Sequence, residues 1–303
     1  MTYPKTSFSV NVDVRNSGQY FACCGLLELA HRLWPGAEGW FDVPRSKFAI
    51  FSSDPAATLQ KLIAELSQCQ ISGVRKDQRQ EKESPELKNG EFGNQGRELS
   101  DNEEDRLKEL GILARTGAVQ LQKPFNIALD WWQTANEDPT SPKTWAGRQE
   151  IHKIARASQD SLMDIQDLED LMNHNSVMRA PKEYKYSKSD QSKVEPFYFD
   201  ARRFAHPLDI GFSLDKQLVE TMAYPAVELL SLIGLQRFRP LPSSIKWTFE
   251  YFVWSRPLLP MVASVAPYCK VLPGIRYRFE LQFRDGKKRY KAFGFSTHMG
   301  GLV

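Results

Sequence analysis

Long apolar runs are missing from this 303-residue chain. No stretch approaches the about 18 apolar residues a membrane-spanning helix needs, so no membrane partner is expected. The opening Met1-Thr2-Tyr3-Pro4-Lys5 lacks the charged and apolar regions of a signal peptide, and a cytoplasmic location is expected. Cysteine is scarce: Cys23, Cys24, Cys69 and Cys269 show no Cys-x-x-Cys spacing, which favours reduced, buried thiols over a disulfide framework. The five histidines, His31, His152, His174, His206 and His298, lie far apart with no zinc-binding spacing. There is no Gly-x-x-x-x-Gly-Lys-Ser/Thr loop for nucleotide phosphates and no Gly-x-Ser-x-Gly nucleophile elbow. No metal or other cofactor is therefore expected.

A large net charge is also missing, since 40 Lys plus Arg stand against 37 Asp plus Glu. The distribution is uneven, however. Residues 1–178 hold 20 basic and 26 acidic side chains, whereas 179–303 hold 20 and 11. A basic second half points to a polyanion as partner.

Periodicity predicts an α+β protein of mixed, mostly antiparallel sheets with packed helices. Ser7 to Val14 alternates as a strand, and Asn16-Ser17-Gly18 supplies capping chemistry for a helix over 19–34, too densely apolar for one exposed stripe. A second helix is expected from Asp54-Pro55 to Ser67, paired strands over 118–132, and helix over 142–172. Pro196 to Ala201 and Leu208 to Ser213 read as strands, Ala226 to Ile233 as a helix stopped by Gly234, and Trp247 to Trp254 as a strand. A strand–helix–strand unit near 7–51 thus recurs faintly near 196–254, as a duplication would leave it. Residues 74–109 carry 8 basic and 11 acidic side chains and few large apolar ones, the composition of a mobile insertion. The expected organisation is an N-terminal α/β part, 1–73 and 110–178, interrupted by that insertion, followed by a basic C-terminal α+β part, 179–303.

The most pointed local pattern lies at 275–295. Ile275 to Phe283 alternates apolar and polar residues, Asp285-Gly286 suits a two-residue hairpin turn, and Lys287-Lys288-Arg289-Tyr290-Lys291-Ala292-Phe293 would return. That turn sets Arg284 opposite Lys287, Gln282 opposite Arg289, Glu280 opposite Lys291 and Arg278 opposite Phe293. One face then carries Arg276, Arg278, Arg284, Lys287, Arg289 and Lys291, relieved by Glu280. Facing like charges destabilise a sheet, so such a face implies an anionic ligand or an edge protected from aggregation by charge. A second basic segment interleaves Arg179, Lys182, Lys185 and Lys188 with Tyr184 and Tyr186, cations for phosphates and rings for unpaired bases. Arg202 and Arg203 extend the set.

Catalytic readings have thinner support. Asp13, Asp200 and Asp209 are candidates for a metal-dependent nuclease only if the fold brings them within a few ångströms of common ions. His298, inside the glycine-rich Gly294 to Gly301, or His31 could serve an RNA endonuclease as general acid or base; the alternative for the terminal segment is a flexible end of chain.

Three blocks together resemble a known family. They are Asn11-Val12-Asp13-Val14 through Asn16-Ser17-Gly18-Gln19-Tyr20-Phe21-Ala22-Cys23-Cys24-Gly25-Leu26-Leu27-Glu28-Leu29-Ala30; Pro196-Phe197-Tyr198-Phe199-Asp200-Ala201-Arg202-Arg203 with Asp209-Ile210-Gly211-Phe212-Ser213; and Ala223-Tyr224-Pro225-Ala226-Val227-Glu228-Leu229-Leu230 with Ile233-Gly234-Leu235-Gln236-Arg237-Phe238-Arg239-Pro240. The chain resembles the large-subunit-like (Cas-eight-type) protein of type I-U, or I-G, CRISPR–Cas interference complexes, end to end except the charged insertion. The resemblance implies a cytoplasmic, non-enzymatic subunit of a crRNA-guided surveillance complex. Such a subunit helps read and open target DNA, touches crRNA and other subunits, and recruits a helicase-nuclease. Guide pairing would supply sequence specificity and the protein would grip the backbone. The C-terminal helical bundle usual in large subunits is not evident in this sequence. That leaves two other roles open: a guide-RNA-processing endoribonuclease and a protein-interaction scaffold.

Overall fold

The computed structural model describes residues 5–73, 117–133, 141–145, 149–181, 193–203, 222–268, 272–284 and 291–300. The charged insertion 74–109, the Leu208 to Ser213 strand candidate, Asp209 and Cys269 lie outside these residues. The fold is α+β, with five α-helices and three antiparallel sheets among the described residues. Strands β1 (Phe8–Asn11), β2 (Glu38–Asp42) and β3 (Lys47–Phe51) form one sheet with β3 in the centre. Strands β4 (Ile71–Ser72), β5 (Val119–Leu121) and β6 (Ile127–Leu129) form a second. The third runs β10 (Lys291–Phe293), β9 (Gly274–Phe283), β8 (Thr248–Trp254), β7 (Leu241–Pro242), with β11 (Thr297–His298) also paired to β9. No helix among the described residues is long and apolar enough to cross a membrane.

Helices α1 (Ser17–Leu33) and α4 (Pro225–Arg237) pack against each other at the centre. Residues Ser17 to Ala30 and Pro225 to Leu235 are all buried, so neither helix keeps a wet face. Their contact is made by two glycines. A Cβ on Gly25 would stand 2.0 Å from the Leu230 carbonyl oxygen, and one on Gly234 would stand 2.1 Å from that of Phe21. Each glycine of one helix thus receives the backbone of the other, and the arrangement is reciprocal. This explains why Gly234 does not end α4 as the sequence suggests: it is a contact point, and the helix runs on to Arg237.

Around this pair the core is one cluster drawn from both parts of the chain. Tyr20 of α1 stacks on Tyr251 of β8 at 4.1 Å between centroids and on Phe41 of β2 at 5.4 Å, bridging two sheets. The hydroxyl of Tyr20 donates to Phe252 O, and Trp254 Nε1 donates to Gly39 O, so the buried polar tips are satisfied. Each central helix is followed by an antiparallel hairpin, β2–β3 after α1 and β7–β8 after α4. The first strand of the second expected unit, Pro196 to Ala201, does not form, so the strand–helix–strand recurrence foreseen near 196–254 is incomplete. Cys23, Cys24 and Cys69 are free and buried, as expected.

Two expected elements change character. The helix foreseen over 142–172 contracts to α3 (Ile151–Asp160), with 3-10 turns at Ser161–Asp164 and Leu171–Asn173. Before it, Thr144 and Trp145 are buried, with Thr144 Oγ1 donating to Phe197 O. After it, Asp167 Oδ1 accepts from the N–H of Glu169 and Asp170, a local alternative to helix. Helix α2 (Leu59–Gln68) starts later than Asp54-Pro55 because Thr58 is its cap, accepting from Lys61 N.

The crossing gives a direct test. Gly25→Ala or Gly234→Ala drives a methyl into backbone that has no side-chain freedom to yield, and should cost at least about 3 kcal/mol. The expected readout is a fall in thermal midpoint or loss of folded protein for either variant. Gly300→Ala, with nothing within 4 Å of the added carbon, should leave the midpoint unchanged.

Candidate nucleic-acid interface

The 196–203 segment alternates like a strand, yet it forms none. Its amide groups point elsewhere: Phe199 N and Asp200 N donate to the two carboxyl oxygens of Glu228 on α4, at 3.2 and 3.1 Å. Ala201 N donates to Asn16 Oδ1, the oxygen that also caps α1 by accepting from Gly18 N and Gln19 N. Asn16 Nδ2 in turn donates to Asp200 Oδ1 at 2.9 Å. Tyr198 takes φ +68°, and the segment passes into a 3-10 turn, Ala201–Arg203. Asn16, Asp200 and Glu228 are all fully buried. Asn16, residues 199–201 and Glu228 therefore meet at one polar centre.

Burial pushes the Glu228 carboxyl from its ordinary value of 4.5 up to about 8, and the nearby Asp200 adds to this, against the backbone N–H groups that favour the charged form. At neutral pH the group is mostly protonated.

The basic residues read from the sequence divide by what they touch. Arg202 faces inward: its Nε and Nη2 pair with the Asp200 carboxylate, Nη2 also reaches Met172 O at 2.6 Å, and the guanidinium lies 3.6 Å over the Tyr224 ring. Arg284 stacks 3.5 Å over the Tyr198 ring and donates to Lys291 O. Lys291 Nζ donates to Ser141 O and lies 4.7 Å over the Trp247 ring. Arg276 and Arg278 converge on Glu250 of β8, Arg278 Nη2 at 2.8 Å and Arg276 Nη1 at 3.6 Å, and Arg276 also donates to Pro267 O. Arg179 is exposed and forms an isolated bridge with Lys193. Lys182, Tyr184, Lys185, Tyr186, Lys287 and Arg289 lie outside the described residues, as does the side chain of Arg203.

The hairpin register differs from that of a two-residue turn. Lys291 is opposite Phe283, Ala292 opposite Gln282 and Phe293 opposite Leu281, a shift of three positions. An odd shift turns every side chain of the return strand to the other face. The reason is Phe293, which at 0% exposure packs 4.9 Å from Phe279 between ring centroids in the core. In the expected register it would have stood beside Arg278. Lys291 consequently shares the face of Phe283, not that of Arg276, Arg278 and Glu280.

The structure also forms an open cleft of about 710 Å³ that the basic pattern did not reveal, at the start of α1. Asn11, Asp13, Arg15, Arg45, Tyr277 and Phe295 are among its lining residues. Val12 N donates to Ser46 O, which brings the 43–46 turn and Arg45 to one wall. Ser296 N donates to Arg15 O, Ser17 Oγ donates to Gly294 O, and Tyr251 Oη donates to Val14 O. Anchored on both sides, the chain leaves Phe295 projecting at 53% exposure. Arg15 and Arg45 are exposed and pair with Asp13 and Asp42 at 3.3 and 2.6 Å. No periodic signal marks this site, since its parts come from six separate segments; only Phe295, an aromatic ring among glycine and hydroxyl residues, stands out in the sequence.

Of the catalytic candidates, Asp13 lines the cleft, Asp200 is enclosed by Asn16 and Arg202, and His298 is exposed on β11 with its ring 5.8 Å from that of Tyr277. His31 is half-buried, its Nδ1 accepting from Gly36 N. Among the described residues no group of three His, Cys, Asp or Glu is placed to hold a metal ion. No family model matches the chain, and neither a curated protein nor a solved structure does.

Two outcomes follow from the polar centre. Arg202→Ala strands the buried Asp200 carboxylate and should cost about 3–5 kcal/mol in denaturant unfolding; loss of ligand binding in that variant would report unfolding and not a lost contact. For Glu228, the folded-state value lies above the unfolded one, so the folded chain holds the extra proton between about pH 4.5 and about 8. The stability it contributes is complete below that window and declines as pH rises through it. Unfolding free energy of the wild type should fall relative to Glu228→Gln between about pH 5 and about pH 8.5; a constant difference would refute the assignment.

Proposed function

We propose that this chain is a non-catalytic, cytoplasmic nucleic-acid-binding subunit of a crRNA-guided type I CRISPR surveillance complex. In that role it binds crRNA and target DNA, contributes to duplex opening, contacts neighbouring subunits and takes part in recruiting the helicase-nuclease. The observation that carries the reading is the cleft, in which two exposed arginines and an exposed phenyl ring border one open space. Cations answer phosphates and an exposed ring answers bases, a pairing characteristic of nucleic-acid sites. The family resemblance supplies the biological setting. Its three blocks are joined through Asn16, Asp200 and Glu228, so the likeness falls on the scaffold that builds the cleft wall. A subunit role is further supported by Met261, Val262, Val265 and Tyr268, exposed apolar side chains at and just after α5 (Pro260–Val265) that suit a protein neighbour.

The test is equilibrium binding of the purified chain to labelled RNA and DNA, in EDTA, over a series of salt concentrations. Binding whose log affinity falls linearly with log salt is expected. Failure to bind either polymer at low salt would sink the reading, and copurification with the other complex subunits and a crRNA would place it in the assembly. Specific cleavage of repeat RNA in EDTA, lost in His298→Ala, would instead establish the endoribonuclease alternative.

A further inference from the structure

Resting on that nucleic-acid reading, we infer that the cleft at the start of α1 is a pocket for one unpaired nucleotide. Its base lies on the Phe295 ring and its flanking phosphates meet Arg15 and Arg45. The ring is the first argument. Phe295 is 53% exposed although Gly294 and Ser296 on either side are buried, so the chain is anchored around a presented side chain. A stacked duplex offers no free base face to such a ring, whereas an unpaired base does. Size is the second. About 710 Å³ falls within the about 300–1,000 Å³ of small-ligand clefts, adequate for a nucleotide and far short of a duplex segment.

Charge is the third argument, and it discriminates between ligands. Asp13 lines the same cleft as Arg15 and Arg45, which disfavours a bare phosphate ion. A nucleotide brings base amino groups and sugar hydroxyls that donate to a carboxylate, so the acid suits it. The Asp13–Arg15 and Asp42–Arg45 pairs are exposed to solvent on the arginine side, at 68% and 78%. Exposed pairs are weak, so either guanidinium can turn to a phosphate at little cost. Arg202, which also borders the cleft, is held by Asp200 and Tyr224 and forms part of the wall.

The experiment uses the full chain, a single-stranded oligonucleotide carrying 2-aminopurine, the same sequence as a duplex, and inorganic phosphate as competitor. Phe295→Ala should weaken single-strand affinity by about 5- to 100-fold and abolish the 2-aminopurine quench, and Phe295→Trp should retain both. Arg15→Gln and Arg45→Gln should each lower the slope of log affinity against log salt by about one. Millimolar phosphate should not compete beyond its ionic strength. Thermal midpoints should match the wild type, since all three side chains are exposed; if Phe295→Ala is destabilised, the tryptophan and arginine variants decide. Single strands bound equally well by wild type and Phe295→Ala, or an equal loss on duplex, would overturn the pocket and leave the nucleic-acid reading intact. Binding of neither strand form by the wild type would overturn both.

Discussion

Two helix backbones touch at the centre of this protein, and most of the structure is arranged around that contact. Gly25 and Gly234 let the carbonyl groups of Leu230 and Phe21 approach to distances that any side chain would block. Both helices are buried along most of their length, and the buried polar side chains Glu28, Glu228 and Ser231 find hydrogen-bond partners inside. Their remaining surfaces must then be covered by the rest of the chain, and the sheets flanking them do so through Tyr20, Phe41, Tyr251 and Trp254. At one end of the pair, Glu28 of α1 binds Arg237 of α4 at 2.6 Å, and at the other Ser231 Oγ donates to Gly18 O.

A polar centre sits beside this apolar contact and has a different task. The 196–203 segment carries backbone N–H groups that no strand satisfies, and Glu228 and Asn16 accept them. Leaving such donors unpaired in the interior would cost about 1–3 kcal/mol each, so the two side chains stabilise an irregular segment in a dry place. Because Glu228 carries this role mostly protonated at neutral pH, a carboxylic acid serves where a carboxylate would have to be desolvated. Arg202 completes the arrangement by pairing with Asp200, and Arg202 and Asn16 also line the cleft.

This accounts for how the cations are distributed. Arginines close to the core, such as Arg202 and Arg284, lie flat on tyrosine rings and hold segments together. Arg15 and Arg45, on turns at the rim, extend into solvent, paired with the partly buried Asp13 and Asp42. A count of basic residues along the chain does not separate these two uses, since a guanidinium on a ring and one on a phosphate look the same in one dimension.

Local pattern was enough for the elements whose chemistry is local. The Asn16 cap, the dense helix after it, the 119–129 hairpin, the strand at 248–254 and the α+β class all follow from periodicity and capping. Buried cysteines followed from composition in the same way. Where residues far apart compete for one another, the sequence could not decide. Pro196 to Ala201 alternates as a strand does, but Glu228 and Asn16 take its amides; the hairpin turn at Asp285-Gly286 suggests one register, but burial of Phe293 enforces another. The cleft belongs to the same class, because Asn11, Arg15, Arg45, Tyr277 and Phe295 share a wall only after two sheets and two helices have closed around Gly25 and Gly234. The sequence by itself determined the elements and their charge. The tertiary structure decided register, which polar groups are satisfied internally and which arginines face outward, since each of those depends on burial shared between distant segments.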